Sequence, residues 1–279
     1  VSDGQNYTIS DTLVVTVNAL PVVSFVNPGN LCINDELLSL TTATPAGGTY
    51  SGPGVSNGQF NPAAVGAGVY TLFYTYTDSV TGCSNIDSAT IEVNSLPNVT
   101  LAAFAHVCEG AAAFSLTGGL PAGGTYEGDF VSNGVFDPVA AGPGTYSIAY
   151  IYTDPITGCT DTATADITVN SSPAIDFPAL APACINSGPV SLNTATPAGG
   201  TYSGPGVNNN QFFPAQVGLG TYVIVYTFTD TATGCTATDS SSITVNDPPA
   251  VTLDTLVPVC LGSPAFALSG GLPAGGTYS

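Results

Sequence analysis

The seven cysteines hold the clearest chemistry in this chain, and their spacing is regular. Cys32, Cys108, Cys184 and Cys260 follow one another at 76-residue intervals (108 − 32, 184 − 108, 260 − 184), as do Cys83, Cys159 and Cys235. In each complete interval the two sets lie 51 residues apart (83 − 32, 159 − 108, 235 − 184). Two thiols per interval with no recurring histidine fall short of a tetrahedral zinc set. Both positions lie beside turns rather than inside apolar runs, which argues against buried free thiols. Oxidation to disulfides is the favoured chemistry, and the expected pairs are Cys32–Cys83, Cys108–Cys159 and Cys184–Cys235. The partner of Cys260 is expected beyond Ser279. Closing a loop of this length stabilises a small domain by about 4 kcal/mol in the chain-entropy model. Cystines also imply an oxidising, extracytoplasmic compartment.

Other reactive residues are sparse. Asp78, Asp154 and Asp230 recur once per interval, each just before the turn that leads to Cys83, Cys159 or Cys235. They are the calcium candidates, because a hard cation takes carboxylate oxygens. The competing use of each Asp is to accept N–H bonds within its own turn. Calcium needs six to eight oxygens, and no dense Asp-x-Asp-x-Asp run supplies them. His106 is the single histidine, and its counterparts one period away are Asn30, Pro182 and Pro258. No Ser-His-acid set or catalytic lysine can be assembled, so a non-enzymatic protein without a cofactor is expected. The recurring tyrosines invite a carbohydrate-stacking reading, but their place on the large face of an alternating strand points to core packing.

The composition is extreme. Lysine and arginine are absent, Asp and Glu number 19, and charged residues make up 7% of the chain, against about 25% in ordinary soluble domains. No Lys or Arg is present to form an ion pair. Nucleic acid is excluded as a partner because phosphate binding depends on Lys and Arg. Anionic membrane surfaces are disfavoured for the same reason, and no apolar run is long enough to insert into a bilayer. Trypsin has no site to cut.

The cysteine interval is the period of the whole sequence. Pro-Ala-Gly-Gly-Thr-Tyr begins at Pro45, Pro121, Pro197 and Pro273. A period this long suits a series of small domains rather than a solenoid. Residues 21–96, 97–172 and 173–248 are the complete copies; residues 1–20 match the end of a preceding copy and residues 249–279 the start of a fourth. Tyr7 stands where the first of these stubs would hold its second cysteine. Copies one and three share Thr-Ala-Thr-Pro-Ala-Gly-Gly-Thr-Tyr, while copies two and four share Gly-Gly-Leu-Pro-Ala-Gly-Gly-Thr-Tyr, an ABAB alternation. Asn-x-Ser/Thr stands at Asn6, Asn98 and Asn170.

These motifs fall between strands. Tyr146, Ile148, Tyr150 and Tyr152 alternate with small residues, and Tyr70, Leu72, Tyr74, Tyr76 and Tyr222, Ile224, Tyr226, Phe228 repeat the pattern. Period-two alternation predicts a half-buried strand. Thr-Gly-Cys makes a turn, and a second strand is predicted over 160–169 and its counterparts 84–93 and 236–245. Shorter strands are predicted over 99–104, 114–117, 124–127 and 134–136, separated by Gly-Gly, Ser-Asn-Gly and Asp-Pro turns. No helical period is visible. The fold class expected is all-β, a tandem array of immunoglobulin-like antiparallel β-sandwiches arranged as beads on a string. Gly-x-Gly-Thr-Tyr resembles the tyrosine corner of that fold, which would set the cystine at one end of each sandwich.

The run Pro-Ala-Gly-Gly-Thr-Tyr-Ser-Gly-x-Gly-Val-x-Asn-Gly-x-Phe-x-Pro, followed by Gly-x-Gly-Thr-Tyr and Tyr-Thr-Asp-x-x-Thr-Gly-Cys, resembles the immunoglobulin-like or PKD-like repeats of giant Bacteroidota surface proteins. These include gliding-motility adhesins exported by the type IX secretion system. The resemblance spans essentially the whole chain. It implies a non-catalytic stalk or filament segment at the cell surface, outer-membrane-attached or secreted, that extends an adhesive tip. The expected partners are neighbouring repeats, laterally packed copies in a fibre, and surface polysaccharide or other cells reached through regions outside this sequence. The alternatives are repeats that themselves bind calcium or glycan, and spacer modules of a secreted polysaccharide-degrading enzyme.

Overall fold

The computed structural model describes residues 11–279. The expectations that rest on Asn6 and Tyr7 lie outside the described residues. In the first copy the elements are β1 (Ser24–Phe25), β2 (Leu31–Cys32), β3 (Leu38–Ser39), β4 (Ala43–Thr44) and β5 (Thr49–Ser51). They continue with β6 (Val55–Ser56), β7 (Gln59–Phe60), α1 (Pro62–Val65), β8 (Gly68–Thr77) and β9 (Ser84–Asn94). The third copy returns nearly the same series, ending in the long strands Gly220–Thr229 and Thr236–Asn246, and the second copy has its long strands at Gly144–Thr153 and Thr160–Asn170.

The alternating Tyr-x-Leu-x-Tyr pattern makes β8 the spine. It pairs antiparallel with β9 from Gly68↔Val93 to Thr77↔Ser84 and, on its other side, with β5 through Tyr50↔Tyr74. A four-stranded sheet β2-β9-β8-β5 and a three-stranded sheet β3-β7-β6 result, with β1 paired to β4. Two sheets with the long hairpin central in one of them make an immunoglobulin-like sandwich, and the array of copies is all-β. The expectation of purely antiparallel strands is corrected at one edge, because β2 runs parallel to β9 with Leu31↔Val93 and Cys32↔Asn94.

The core lies between the sheets. In the first copy Phe25, Leu40, Ala43, Phe60, Leu72, Tyr74, Ile91 and Val93 are buried together. In the third copy Phe177, Leu192, Phe212, Ile224, Tyr226, Ile243 and Val245 do the same. Each fully buried aliphatic or aromatic side chain contributes about 1.5–3 kcal/mol. Among the described residues no polar or charged residue is fully buried apart from the tyrosines. Those tyrosines settle the carbohydrate reading at their deepest positions. Tyr74 lies inside the sandwich, donating to the Pro45 carbonyl at 2.6 Å and accepting from the Gly48 N–H at 2.6 Å. Tyr150 and Tyr226 repeat both bonds.

That arrangement explains the Pro-Ala-Gly-Gly-Thr-Tyr motif. A side chain at Gly48 would meet the Tyr74 ring at 2.5 Å and the Thr75 carbonyl at 2.4 Å, so only glycine lets the loop rest on the ring. The tyrosine-corner expectation is met by Tyr70, whose hydroxyl donates back to the Val65 carbonyl at 2.6 Å. Tyr222 does likewise to Val217. The corner itself holds a single helical turn of four residues, too short to show a helical period in the sequence. α1 and its counterparts Pro138–Ala141 and Pro214–Val217 each begin with Pro and end at a glycine. Asn61 and Asp137 cap the first two through side-chain acceptors, and Phe213 gives the third no such cap.

By its internal contacts the chain divides into two compact units. One holds the described residues up to Phe104 with Ser115–Phe136 and Tyr146–Asp166; the other holds Ala105–Phe114, Asp137–Thr145 and Ile167–Ser279. The division runs through the second copy rather than between copies.

Candidate functional site

Each second-position cysteine sits in a turn that its own sequence builds. In the first copy the Asp78 N–H donates to the Cys83 carbonyl at 2.9 Å and the Gly82 N–H to the Asp78 carbonyl at 2.8 Å. Asp154–Cys159 and Asp230–Cys235 repeat both bonds. The Asp78 carboxylate accepts from the N–H groups of Val80 at 2.8 Å and Thr81 at 2.9 Å. These N–H bonds, Thr81's above all and then Val80's, hold the Asp78 carboxyl below the usual carboxylate range. Asp154 caps Ile156 and Thr157, and Asp230 caps Ala232. The three calcium candidates therefore stand in three separate turns, each serving as that turn's acceptor. Among the described residues no group of three or more His, Cys, Asp or Glu is placed to hold a metal ion.

Cys32, Cys108 and Cys184 each end a parallel edge strand. They align with Asn94, Asn170 and Asn246, the last residues of the long second strands. The following residue locks this register, with N–H bonds from Ile33 to Asn94, Glu109 to Asn170 and Ile185 to Asn246, each 2.9 Å. The exposed His106 lies two residues before Cys108, outside any strand.

The two cysteines of one copy are consequently at opposite poles. Cys83 immediately precedes β9 and Cys32 lies beside its end at Asn94, eleven residue steps away (94 − 83). At about 3.3 Å per residue that is roughly 36 Å, far beyond the ~7 Å Cα separation a disulfide can span. The expected pairs Cys32–Cys83, Cys108–Cys159 and Cys184–Cys235 are therefore corrected. Cys32 is bonded to Cys159 and Cys108 to Cys235, each with Cα atoms 5.6 Å apart and a sequence separation of 127. Both bridges run from the first position of one copy to the second position of the next, and each lies within one compact unit. Cys83, Cys184 and Cys260 are free thiols.

Bridging changes the surroundings of the turn cysteine. Cys159 and Cys235 are 0% exposed, whereas Cys83 in the same turn is half-buried. The spacing of 51 residues was visible in the sequence, but it fits pairing within a copy and pairing across copies equally well. The deciding signal was strand order. Placing the first-position cysteine beside the end of the last long strand turns the pairing outward.

No family model matches this chain, and no curated relative does. Among solved structures, the I-band fragment I67-I69 from titin aligns at 14% identity over 82% of this chain and 100% of that one, with a TM-score of 0.28. The insect immune protein hemolin aligns at 13% identity over 63% of this chain and 56% of that one, with a TM-score of 0.25. Mouse protocadherin-24 EC1-3 aligns at 10% identity over 84% of this chain and 100% of that one, with a TM-score of 0.22.

Proposed function

We propose that the chain is a non-catalytic load-bearing segment of a large extracellular repeat protein, a stalk or filament that holds an adhesive tip away from the cell. The 76-residue copies 21–96, 97–172 and 173–248 are its domains. The motif resemblance to Bacteroidota surface adhesins of the gliding-motility type puts it at the cell surface or among secreted proteins. Disulfides in two successive junctions agree with an oxidising location. Uncharged outward residues such as Val69 and Val223 on the long strands leave faces suited to lateral packing in a fibre.

The single observation behind this reading is the direction of the cystines. Consecutive copies are joined twice, once through the backbone and once through a bridge from Cys32 to Cys159 or from Cys108 to Cys235. A domain that only had to be stable gains as much from an internal bridge. A bridge between copies adds a second covalent path across the junction, which a chain under tension uses and a soluble ligand-binding module does not. The shortest covalent route along the oxidised chain passes through both bridges, using the backbone to Cys32, from Cys159 back to Cys108, and from Cys235 onward. That route is about 126 residue steps, so full extension is limited to roughly 440 Å, against roughly 970 Å for the reduced chain, at about 3.5 Å per residue.

Single-molecule stretching of the 279-residue chain from its ends tests the reading. Complete unfolding of the oxidised chain is expected to stop at less than half the contour length reached in reductant. Equal contour lengths in the two conditions would remove the mechanical role.

A further inference from the structure

The bridge is seen closed at two junctions, and its two halves are each seen open at another. We propose that Cys83 and Cys184 are cross-linking sites for further copies of this same repeat. Cys83 takes the first-position cysteine of a copy preceding the first one. Cys184 takes the second-position cysteine of a complete copy following the third. The inference rests on bridge geometry and holds whatever task the array performs.

Three observations support it. The open halves already have the backbone of the closed ones. The turn bond from Asp78 N–H to the Cys83 carbonyl is 2.9 Å, equal to its counterparts at bridged Cys159 and Cys235. The Cys83 N–H donates to Thr81 Oγ1 at 3.3 Å, as those of Cys159 and Cys235 donate to Thr157 and Thr233. At the other pole the Ser187 N–H donates to the Cys184 carbonyl at 2.9 Å, and the Ala111 N–H donates to the carbonyl of bridged Cys108 at the same distance. These backbone hydrogen bonds are the same in the open and the closed positions.

The ligand of each position is also on view twice. Wherever a complete copy is followed by another, the first-position sulfur is bonded to the second-position sulfur of its successor. Third, closure removes the turn cysteine from solvent, since Cys159 and Cys235 are fully buried while Cys83 is not. The open turn thus has an unfilled face whose occupant at the two closed junctions is a neighbouring copy.

The chemistry is thiol oxidation. Two Sγ–H bonds break, one Sγ–Sγ bond forms, and two protons and two electrons leave. A low-molecular-weight disulfide such as oxidised glutathione accepts the electrons and is reduced to two thiols.

The test extends the full chain in register. Two periods of 76 make 152, so residues 1–152 are fused ahead of Val1, with Cys32→Ser and Cys83→Ser in the added segment leaving Cys108 as its one thiol. The product is oxidised with glutathione, alkylated under denaturing non-reducing conditions and weighed intact. Of its eight cysteines, two are expected to be alkylated, Cys184 and Cys260. Changing Cys83→Ser in the original chain is expected to raise the number to three by freeing the added Cys108. Four or more alkylated thiols in the parent overturn the proposal. So does a variant count of one, which would mean that Cys184 had captured the added thiol. Appending residues 128–279 after Ser279, with Cys184→Ser, Cys235→Ser and Cys260→Ser in the added segment leaving Cys159 as its one thiol, repeats the test for Cys184. There Cys83 and Cys260 are the two thiols expected to react, and modification of Cys184 overturns that half.

Discussion

The turns Asp78–Cys83 and Asp154–Cys159 have the same hydrogen bonds to within a few tenths of an ångström, yet one cysteine is a half-buried thiol and the other a fully buried half-cystine. The difference therefore does not come from the turn. It comes from the partner, since Cys159 is bonded to Cys32 and Cys83 to no sulfur among the described residues. In front of the second copy stands the first, with Cys32 ending its edge strand at the pole nearest the linker. The first and third copies each bury a core of their own and all three build the same turn, whereas both cystines join one copy to the next.

The largest effect should come from breaking the closed junction. Cys159→Ser removes a cross-link that closes a 127-residue separation, which the chain-entropy model values at about 5 kcal/mol. Cys83→Ser alters the same turn position with no bridge to lose and should stay within about 0.5 kcal/mol of the parent. Urea unfolding of the oxidised chains, followed by tyrosine fluorescence, measures both. Equal shifts for the two variants would mean that the bridge contributes nothing beyond local packing.

A second comparison asks whether the copies are equivalent once cystines are set aside. Tyr74→Phe in the first copy and Tyr226→Phe in the third each delete a hydroxyl that donates to a proline carbonyl at 2.6 Å and accepts a glycine N–H. Each should cost about 1–3 kcal/mol, because the loop groups are left unpaired against the core. The two costs should match. A clear disparity would show that the difference between open and bridged copies reaches into the core.

The elements most legible in the sequence were those fixed by local pattern. The long hairpin followed from the alternation through Tyr70, Leu72 and Tyr74, and the corner from Gly-x-Gly-Thr-Tyr. Asp78 as a turn acceptor was legible too, because Asx-turn chemistry acts over two or three residues. The pairing of cysteines was not. It depends on whether Leu31–Cys32 joins β9 at its beginning or its end, and a two-residue strand has no periodicity that would say so. The single helical turn at Pro62–Val65 was hidden for a similar reason, since four residues are too few to display a 3.6 period.

The ABAB alternation yields a sharper contrast of smaller size. Ala43 in the first copy corresponds to Gly119 in the second, and both donate their N–H to a tyrosine hydroxyl, Tyr50 at 3.2 Å and Tyr126 at 2.8 Å. A methyl group at Gly119 would meet the Tyr150 ring at 2.5 Å, although the first copy accommodates one there. Gly119→Ala should cost about 1–3 kcal/mol through overpacking, measured by the same denaturation. No change would mean that the ring shifts freely and that the two copy types are interchangeable at this position.

The mildest change tests the open turn itself. Asp78 has its carboxyl held low by the N–H groups of Thr81 and Val80, so its folded pKa lies below its unfolded one. The stabilisation is therefore complete above about pH 4, the ordinary carboxylate range, and is lost as pH falls through the folded value. Asp78→Asn should weaken the turn at pH 7, and its difference from the parent should shrink towards pH 2. Amide exchange at Gly82, whose N–H closes the turn onto the Asp78 carbonyl, is the direct readout. Asp154→Asn makes the same change in a turn that a cystine also restrains, so Gly158 should gain less exchange than Gly82. If both amides accelerate alike, the bridge does not restrain the turn, and the contrast between the two turns is confined to the sulfur atoms.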